Sequence, residues 1–404
     1  MTPIVTPRST NTSAAIRTLI RRSAALPLLA DKYRDIDLDD DFDLATVPPM
    51  TRDDITTCAA EVLASGLRTG PAYLFTSGGS TAEPKLAWIP CAMHLPELLT
   101  HWQPLRATDV LANLAMPGRL WSAHYCYNRV AEHAGAGVIG LGNIDDDEWG
   151  RWLDFLHANG TTAVAGTPSQ LLKLLSYAVR NRHPVLSRLR AGLWFGEPCE
   201  PELLEARDAY APQFGLWGNY GSTETWVIGH NAPGCPADTF HLLPYQHVDL
   251  VDDVVLVTTL HPEAVSPVIR YRIGDRAEPV DCPCGTPGRS LRLLGREGSL
   301  IKFAGTLVSP QDLALQARQV PGVAAAQIAV LSGPGTEVMQ VRVVTEPGAR
   351  PDLAVIRDRV LNSHVDLGFG LRGDDEAFVV RTVTALSASA QTGKTPALIR
   401  EDLP

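Results

Sequence analysis

From residue 145 to residue 181 the chain reads DDDEWGRWLDFLHANGTTAVAGTPSQLLKLLSYAVRN. Residues 145–160 have helical apolar spacing, with three aspartates where a helix dipole favours negative charge and Asn159-Gly160 as a stop signal. A short apolar run at 162–168 and a second helical pattern at 169–181 follow. This order of helix, strand and helix predicts an α/β sheet with helices on its faces.

The same alternation extends on both sides of this stretch, from about residue 70 to about residue 280. From about residue 298 onward the chain has strand and helix patterns of its own. The polar segment GREGS lies between the two regions, and its Gly298 would let the backbone turn freely. We therefore predict an α/β N-terminal domain with mixed sheets and packed helices over 1–297, and a small α+β C-terminal domain over 298–404.

Composition excludes several classes of partner. The 404 residues carry a net charge of -10 and no polybasic run, which argues against nucleic-acid and anionic membrane surfaces. The N-terminus lacks the apolar core of a signal peptide, and no apolar stretch approaches the roughly 18 residues of a membrane span. We therefore expect a cytoplasmic protein. Its seven cysteines do not indicate a disulfide framework.

A strand-like run from Tyr73 ends in a loop dense in glycine and hydroxyl groups. Glycines let backbone N–H groups close around phosphate oxygens, and hydroxyls and a lysine add further donors and charge. The spacing is not that of a Walker loop, and a plain turn would have the same composition. The candidate phosphate-binding residues are Thr76, Ser77, Gly78, Gly79, Ser80, Thr81 and Lys85.

A second polar loop reads Asn219-Tyr220-Gly221-Ser222-Thr223-Glu224-Thr225. A carboxylate beside hydroxyls could hold magnesium against a phosphate, because magnesium takes one or two carboxylates and borrows its other oxygens. A capped turn is the alternative interpretation. Asp275 closes the run IRYRIGD, where a carboxylate at a strand end could accept both hydroxyls of a ribose. A surface ion pair would explain that aspartate equally well.

Taken together and in order, these segments resemble the core motifs of the adenylate-forming superfamily, and most closely its phenylacetate–coenzyme A ligase branch. The resemblance runs through most of the chain. The further segments that carry it are DFDLATVPPMTRDDI at 41–55, Thr167-Pro168-Ser169, Gly196-Glu197-Pro198, GREGSLIKFAG at 295–305 and Thr392-Gly393-Lys394.

The resemblance implies a fold of one large adenylation domain and a small mobile domain, and it implies a role for each motif. Residues 76–81 would surround the β- and γ-phosphates of ATP, while Thr223 and Glu224 would contact the α-phosphate and its magnesium. Gly196, Glu197 and Pro198 would flank the adenine. Asp275 would take the ribose hydroxyls with Arg296 nearby, and Lys394 would bridge the substrate carboxylate and the α-phosphate.

The resemblance also implies a rotation of the small domain about Gly298, which would carry Lys394 out and bring the strand from Lys302 to Gly305 in. Glycine is compatible with this rotation but departs from the Asp or Lys that the family often has at that hinge. Ala82 is a second departure, because the phosphate loop usually has glycine there.

Cys235, His241, Cys282 and Cys284 offer three thiols and one imidazole, the ligand set of a closed structural zinc site. The sequence HVDLVDDVVLVTTL between them reads as two strands joined by a tight turn, which would return the chain to its starting point. Several relatives in the phenylacetate–coenzyme A ligase branch look similar here. Free thiols are the alternative, since C-x-C is less typical of zinc than C-x2-C and buried free cysteines are common.

The resemblance places the acid pocket at Trp121, His124 and Tyr125 and around Tyr220 and Gly221, although the aromatic stretch could equally be core. It implies an aromatic or arylacetic acid as substrate, ATP and magnesium as cofactors, and coenzyme A as the thiol acceptor. A carrier-protein phosphopantetheine is the alternative acceptor, and a non-catalytic nucleotide-binding relative is the alternative outside enzymes. Relatives in this branch often form homodimers.

Overall fold

A computed structural model describes residues 10–39, 42–68, 70–76, 86–118, 120–199, 201–297, 301–303, 306–333, 336–364, 367, 371, 376–388 and 394–402. The chain divides into two compact units, Met1–Leu294 and Gly295–Pro404. The boundary we predicted from sequence, after residue 297, lies three residues further along. Among the described residues, no helix is long and apolar enough to cross a membrane.

Helices of the first unit surround its sheets. They are α1 Thr10–Ser23, α2 Pro27–Lys32, α3 Arg52–Ser65, α4 Leu95–His101, α5 Ala123–Ala134, α6 Trp149–Ala158, α7 Pro168–Arg180 and α8 Pro201–Tyr210. Local sequence sets several of their ends. Thr51 and Asp54 form a capping box at the start of α3, and Thr167 and Gln170 form another at the start of α7.

One predicted helix start is wrong. Helix α6 begins at Trp149, whereas Asp145, Asp146 and Asp147 belong to the turn that precedes it. The Glu148 N–H donates to the Asp145 carbonyl at 3.0 Å, and Asp146 pairs with Lys173 at 2.8 Å. Aspartate favours such turns because its side chain and backbone bond locally instead of continuing a helix. The predicted stop is confirmed, because α6 ends at Ala158.

The strands of the first unit form a two-stranded sheet and an eleven-stranded sheet. They are β1 Ala72–Thr76, β2 Leu86–Pro90, β3 Val110–Asn113, β4 Gly137–Gly140, β5 Ala163–Gly166, β6 Ala191–Phe195, β7 Gly215–Ser222, β8 Trp226–Asn231, β9 Thr239–Leu242, β10 Gln246–Val251, β11 Val254–Thr259, β12 Tyr271–Val280 and β13 Ser290–Arg296. The last two residues of β13 belong to the second unit.

The large sheet is mixed, with the order β10-β11-β12-β13-β9-β8-β7-β6-β5-β3-β4. Strands β7, β6, β5, β3 and β4 run parallel to one another. The remaining described pairings in this sheet are antiparallel. Every residue of β5 and β6 is buried, as expected for parallel strands that helices cover on both faces.

The second unit has its own sheet and its own apolar core. Its elements are β14 Ile301–Phe303, β15 Thr306–Val308, α9 Pro310–Arg318, β16 Val323–Gly333, β17 Thr336–Thr345, α10 Leu353–Asn362, β18 Phe378–Thr382 and β19 Leu398–Asp402. Four of the strands form a sheet in the order β18-β17-β16-β19, and β14 and β15 form a hairpin. The predicted fold class, a large α/β domain with a smaller α+β unit, is confirmed.

Candidate functional site

The polar loops singled out from the sequence follow strands of the parallel part of the large sheet. Thr167 follows β5, Gly196 follows β6, and Thr223 follows β7. Because the carboxyl ends of parallel strands meet at the same edge of a sheet, these loops lie side by side. Ligands of open α/β sheets bind in the crevice beyond that edge. This edge is therefore the candidate active site.

The loop after β7 has a conformation that requires one of its glycines. A Cβ atom on Gly221 would lie 2.1 Å from the carbonyl oxygen of Trp226, so no larger residue fits without moving the backbone. Beyond it, the hydroxyls of Ser222 and Thr225 lie 3.0 Å apart and each accepts from the other residue's backbone N–H. These bonds fix the turn that carries Thr223 and Glu224.

Glu224 is 3% exposed and accepts a hydrogen bond from the hydroxyl of Tyr271 at 2.8 Å. Tyr271 is the first residue of β12 and is itself buried. A buried carboxylate held by a buried hydroxyl has a fixed direction, because neither side chain can rotate into water. The position of the candidate magnesium ligand is thus set from a strand distant in sequence.

Thr76 is buried at the end of β1, and Thr223 approaches it. The Thr223 hydroxyl donates to the Thr76 carbonyl at 3.5 Å, and the Thr76 N–H donates to the Leu120 carbonyl at 2.9 Å. The first candidate phosphate residue and the loop after β7 are therefore brought together. Ser77, Gly78, Gly79, Ser80, Thr81, Ala82 and Lys85 lie outside the described residues.

Tyr220 connects the loop after β7 to Asp275, which lies inside β12 and not at a strand end as predicted, because the strand continues to Val280. Its hydroxyl donates to Asp275 Oδ2 at 3.0 Å, and its ring packs 5.5 Å from the ring of Phe240. Next to it, Asn219 is buried and accepts from the hydroxyl of Tyr127 at 2.9 Å. The candidate ribose carboxylate and the candidate nucleotide loop therefore form one hydrogen-bonded assembly.

The segment after β6 bends at Gly196, whose φ of 78° lies in the left-handed region that glycine adopts readily. Glu197 then accepts from both the backbone N–H and the hydroxyl of Ser169, at 3.2 and 2.7 Å. Pro198 is exposed at the surface. The Gly196-Glu197-Pro198 segment is thereby tied to the Thr167-Pro168-Ser169 motif at the start of α7.

The predicted acid-pocket residues separate into buried and exposed ones. Trp121 is 5% exposed and packs against Phe195 with ring centroids 6.0 Å apart, whereas Tyr125 is 39% exposed. The His124 Nδ1–H donates to the Ala115 carbonyl at 2.7 Å, which leaves Nε2 as the basic nitrogen. Trp121 thus contributes to the core while Tyr125 does not.

Tyr125 belongs to an aromatic cluster that sequence reasoning did not identify. Its ring lies 5.5 Å from Tyr73 and 5.7 Å from Phe75, and Phe75 stacks 6.3 Å from Trp226. Tyr73 and Phe75 share β1 with Thr76, and Trp226 directly follows the loop after β7. Tyr73-Leu-Phe was visible only as strand-like, because its partners lie far away in sequence.

Three candidate residues belong to the second unit. Arg296 ends β13 and is exposed, Lys302 is the middle residue of β14, and Lys394 is half-buried just before β19. Gly298, Gly305, Thr392 and Gly393 lie outside the described residues.

The four predicted zinc ligands are brought together in the first unit. Ligand atoms of Cys235, His241, Cys282 and Cys284 all lie within 4.8 Å of one another. His241 Nε2 lies 3.2 Å from Cys284 Sγ. The predicted hairpin between the pairs is confirmed, since β10 and β11 pair antiparallel with Val251 opposite Val254.

The two ends of this cluster differ in acidity. Burial raises the pKa of Cys235 to about 12. At Cys284 burial acts in the same direction, but hydrogen bonds from Thr286, Cys282 and Cys235 together outweigh it and lower the pKa to about 6. A lowered pKa favours the thiolate, which is the form of cysteine that binds a metal. Three thiols and an imidazole at this spacing could hold a zinc ion and leave no position open for catalysis.

Comparison with protein families supports a nucleotide-binding enzyme. The model of the family described as AMP-binding enzyme matches residues 20–288, which is about two thirds of the chain. A curated relative, an indoleacetate–lysine synthetase of Pseudomonas savastanoi, is 25% identical over 203 residues, covering 50% of this chain and 49% of the relative. The chain thus spans about half the length of that curated relative.

Solved structures show the same fold. A 2-hydroxyisobutyryl-CoA ligase in the postadenylation state, in complex with an R3-HIB-AMP ligand, superposes with a TM-score of 0.69 at 15% identity, covering 96% of this chain and 88% of that one. The amide bond synthetase McbA from Marinactinospora thermotolerans superposes with a TM-score of 0.56 at 20% identity, covering 80% and 67%.

We expect the purified chain to retain one tightly bound zinc ion, measured by elemental analysis after gel filtration. Cys284→Ser should lose the zinc and lower the melting temperature, because the cluster joins segments on either side of the β10–β11 hairpin. Cys91→Ser is the matched control, since Cys91 is a half-buried free cysteine outside the cluster. Equal zinc content in all three proteins, or none in any, would contradict the metal assignment.

Proposed function

Because the chain belongs to the AMP-binding enzyme family, we propose that it activates a carboxylic acid with ATP and forms an acyl-adenylate. One observation carries the proposal: at a single sheet edge, Tyr271 orients Glu224, Thr223 meets Thr76, and Tyr220 holds Asp275. These side chains are the ones that phosphate, magnesium and ribose would need. A capped turn or a surface ion pair would not require all three pairings in one place.

The nucleotide would lie along this edge. Asp275, oriented by Tyr220, would accept the ribose hydroxyls, and the segment from Gly196 to Pro198 would flank the adenine. Thr223 and the loop from Thr76 to Thr81, with Lys85 nearby, would bind phosphate oxygens. Glu224 would hold the magnesium ion, which when bound neutralises charge on the phosphates.

Each half of the proposed reaction forms one bond between heavy atoms and breaks one such bond. In the first, a carboxylate oxygen attacks the α-phosphorus, and the bond to the departing pyrophosphate breaks. Negative charge grows on the phosphate oxygens, so a cation aimed at them lowers the barrier. We assign that task to Lys394. In the second, the acceptor attacks the acyl carbon, AMP leaves, and the acceptor loses its proton.

We propose an aromatic or arylacetic acid as the substrate. The support is the cluster of Tyr73, Phe75 and Tyr125 next to Thr76, because aromatic rings pack best against other rings at such separations. His124, whose Nε2 is basic, stands beside Tyr125 and could meet the acid. The curated relative is named as an indoleacetate–lysine synthetase, which also supports an arylacetic acid.

Two acceptors have support. The coenzyme A thiol follows from the phenylacetate–coenzyme A ligase resemblance and agrees with the name of the 2-hydroxyisobutyryl-CoA ligase that shares the fold. An amine is the second candidate, because the curated relative is named for lysine and a structural neighbour is an amide bond synthetase. A carrier-protein thiol and a homodimer stay predictions from the sequence, as does a domain rotation about Gly298.

A pyrophosphate-exchange screen tests the first half-reaction. The purified chain, magnesium and ATP should exchange labelled pyrophosphate with arylacetic or aromatic acids and much less with aliphatic and amino acids. Coenzyme A, lysine and other amines would then be added to the active acid, and mass spectrometry would identify a thioester or an amide. If no acid of the panel supports pyrophosphate exchange while ATP still binds, the proposed adenylation is overturned.

The second prediction concerns Lys394→Ala. We expect pyrophosphate exchange to fall by roughly 100- to 1,000-fold, the typical cost of removing one transition-state contact. ATP binding, measured by calorimetry, should change little, because the phosphates keep their contacts to the first unit. Arg400→Ala is the control, since Arg400 lies in β19 and is an exposed arginine of the same unit. Normal exchange in Lys394→Ala would remove this lysine from the mechanism.

A third prediction concerns Tyr271→Phe. The magnesium concentration for half-maximal exchange should rise by about 10- to 100-fold, because hydroxyls that orient metal ligands typically contribute this much. Manganese binding followed by electron paramagnetic resonance, in the presence of ATP, should weaken in parallel. The control is Tyr33→Phe, which removes a buried hydroxyl that makes no hydrogen bond to the described residues. If both variants reach half-maximal exchange at the same magnesium concentration as the parent protein, Tyr271 has only a packing role.

A further inference from the structure

Two histidines pack ring against ring in the first unit, and the proposed reaction uses neither. The ring centroids of His94 and His261 lie 3.7 Å apart at an interplanar angle of 37°. Both side chains are almost fully buried, at 3% and 5% exposure. The ring of Tyr245 contacts both imidazoles, with centroids 5.6 and 5.3 Å away.

Each imidazole has a nitrogen that the surrounding protein does not satisfy. Nδ1 of His94 and Nε2 of His261 are buried and make no hydrogen bond to any described residue. Burying a polar nitrogen without a partner is unfavourable, so such an atom often marks the position of an ion or a water.

Carboxylates complete the cluster at its rim. One ligand atom each from His94, His261 and Glu263 lies within 4.8 Å of the others. Glu97 Oε2 lies 3.3 Å from His261 Nε2 without the alignment of a hydrogen bond. Bonds of about 2.0–2.1 Å in a tetrahedral site separate two ligands by about 3.3 Å. The carboxylate of Glu97 and the imidazole of His261 therefore have the separation of two ligands of one ion.

The backbone that carries His94 is strained. Met93 and His94 have φ values of 58° and 50°, a left-handed region that is unfavourable for residues other than glycine. The Met93 carbonyl accepts from the indole N–H of Trp226 at 2.7 Å, which helps to hold the turn. Strain of this kind concentrates where side chains must be held in place for binding.

We propose that His94, His261 and Glu263, with Glu97 beside His261, form a binding site for a divalent transition-metal ion such as zinc or cobalt. Imidazole nitrogens and carboxylate oxygens are ligands that these ions accept. The site is separate from the cysteine cluster, which shares no residue with it. A bound ion would fix the turn before α4 and raise the stability of the first unit.

Binding has a local cost at His261. The Glu263 N–H donates to His261 Nδ1 at 3.2 Å, which favours the tautomer with the proton on Nε2. An ion bound to Nε2 moves the proton to Nδ1, which can then no longer accept from the Glu263 N–H. An ion bound to Nδ1 takes the place of that N–H group directly. Either way the hydrogen bond from the Glu263 N–H is lost, which weakens the binding of the ion. We therefore expect weaker binding here than at the cysteine cluster.

Cobalt provides the test because its absorption spectrum reports its ligands. The full chain, first saturated with zinc and dialysed, is titrated with cobalt and followed by calorimetry and absorption. We expect one further equivalent with weak ligand-field bands and without the strong thiolate-to-cobalt charge-transfer bands of a cysteine site. Cobalt bound with charge-transfer bands alone would place it at the cysteines, and no further equivalent would leave only a buried water; either result overturns the proposal.

Variants locate the ion. His94→Gln should raise the cobalt Kd by at least about 10-fold, as should Glu97→Gln, since even outer-shell changes typically cost that much. Glu97 is half exposed, so its variant tests the site even if changes in the buried pair impair folding. His157→Gln is the control, because His157 also has a buried nitrogen without a hydrogen bond but lies outside the cluster. Unchanged cobalt binding in Glu97→Gln and His94→Gln would contradict the assignment.

Discussion

Parallel pairing of β3, β5, β6 and β7 is the constraint on which the candidate site depends. It brings the carboxyl ends of four strands to one edge, so that loops separated by many residues in sequence become neighbours. The antiparallel strands that continue the sheet then supply Tyr271 and Asp275 from β12. Without this pairing, each motif would be an isolated polar loop with no shared ligand.

The sequence predicted correctly those features whose pattern lies within a single segment of the chain. Alternating helical and strand patterns predicted the α/β sheet, and HVDLVDDVVLVTTL predicted a hairpin whose turn residues, Asp252 and Asp253, both have the positive φ of a tight turn. The resemblance to the adenylate-forming superfamily, drawn from short motifs in order, is confirmed at the level of the AMP-binding enzyme family. Its phenylacetate–coenzyme A ligase branch stays a prediction.

Contacts between distant side chains could not be predicted in the same way. Tyr271 meets Glu224 across 47 positions and Tyr127 meets Asn219 across 92, and both pairs depend on how strands and helices pack. His94 and His261 have no shared motif at all. The predicted start of helix α6 is wrong for the same reason. The aspartates before Trp149 form a turn that is stabilised partly by Lys173, which is distant in sequence.

Transfer of a labelled oxygen tests the proposed chemistry most directly. The enzyme is incubated with ATP, magnesium, the acceptor and an arylacetic acid labelled with oxygen-18 in its carboxylate. The mass of the nucleotide product is then measured by mass spectrometry. Attack of the carboxylate on the α-phosphorus predicts AMP that carries one labelled oxygen. Unlabelled AMP, or ADP as the product, would contradict an acyl-adenylate and with it the function assigned to this sheet edge.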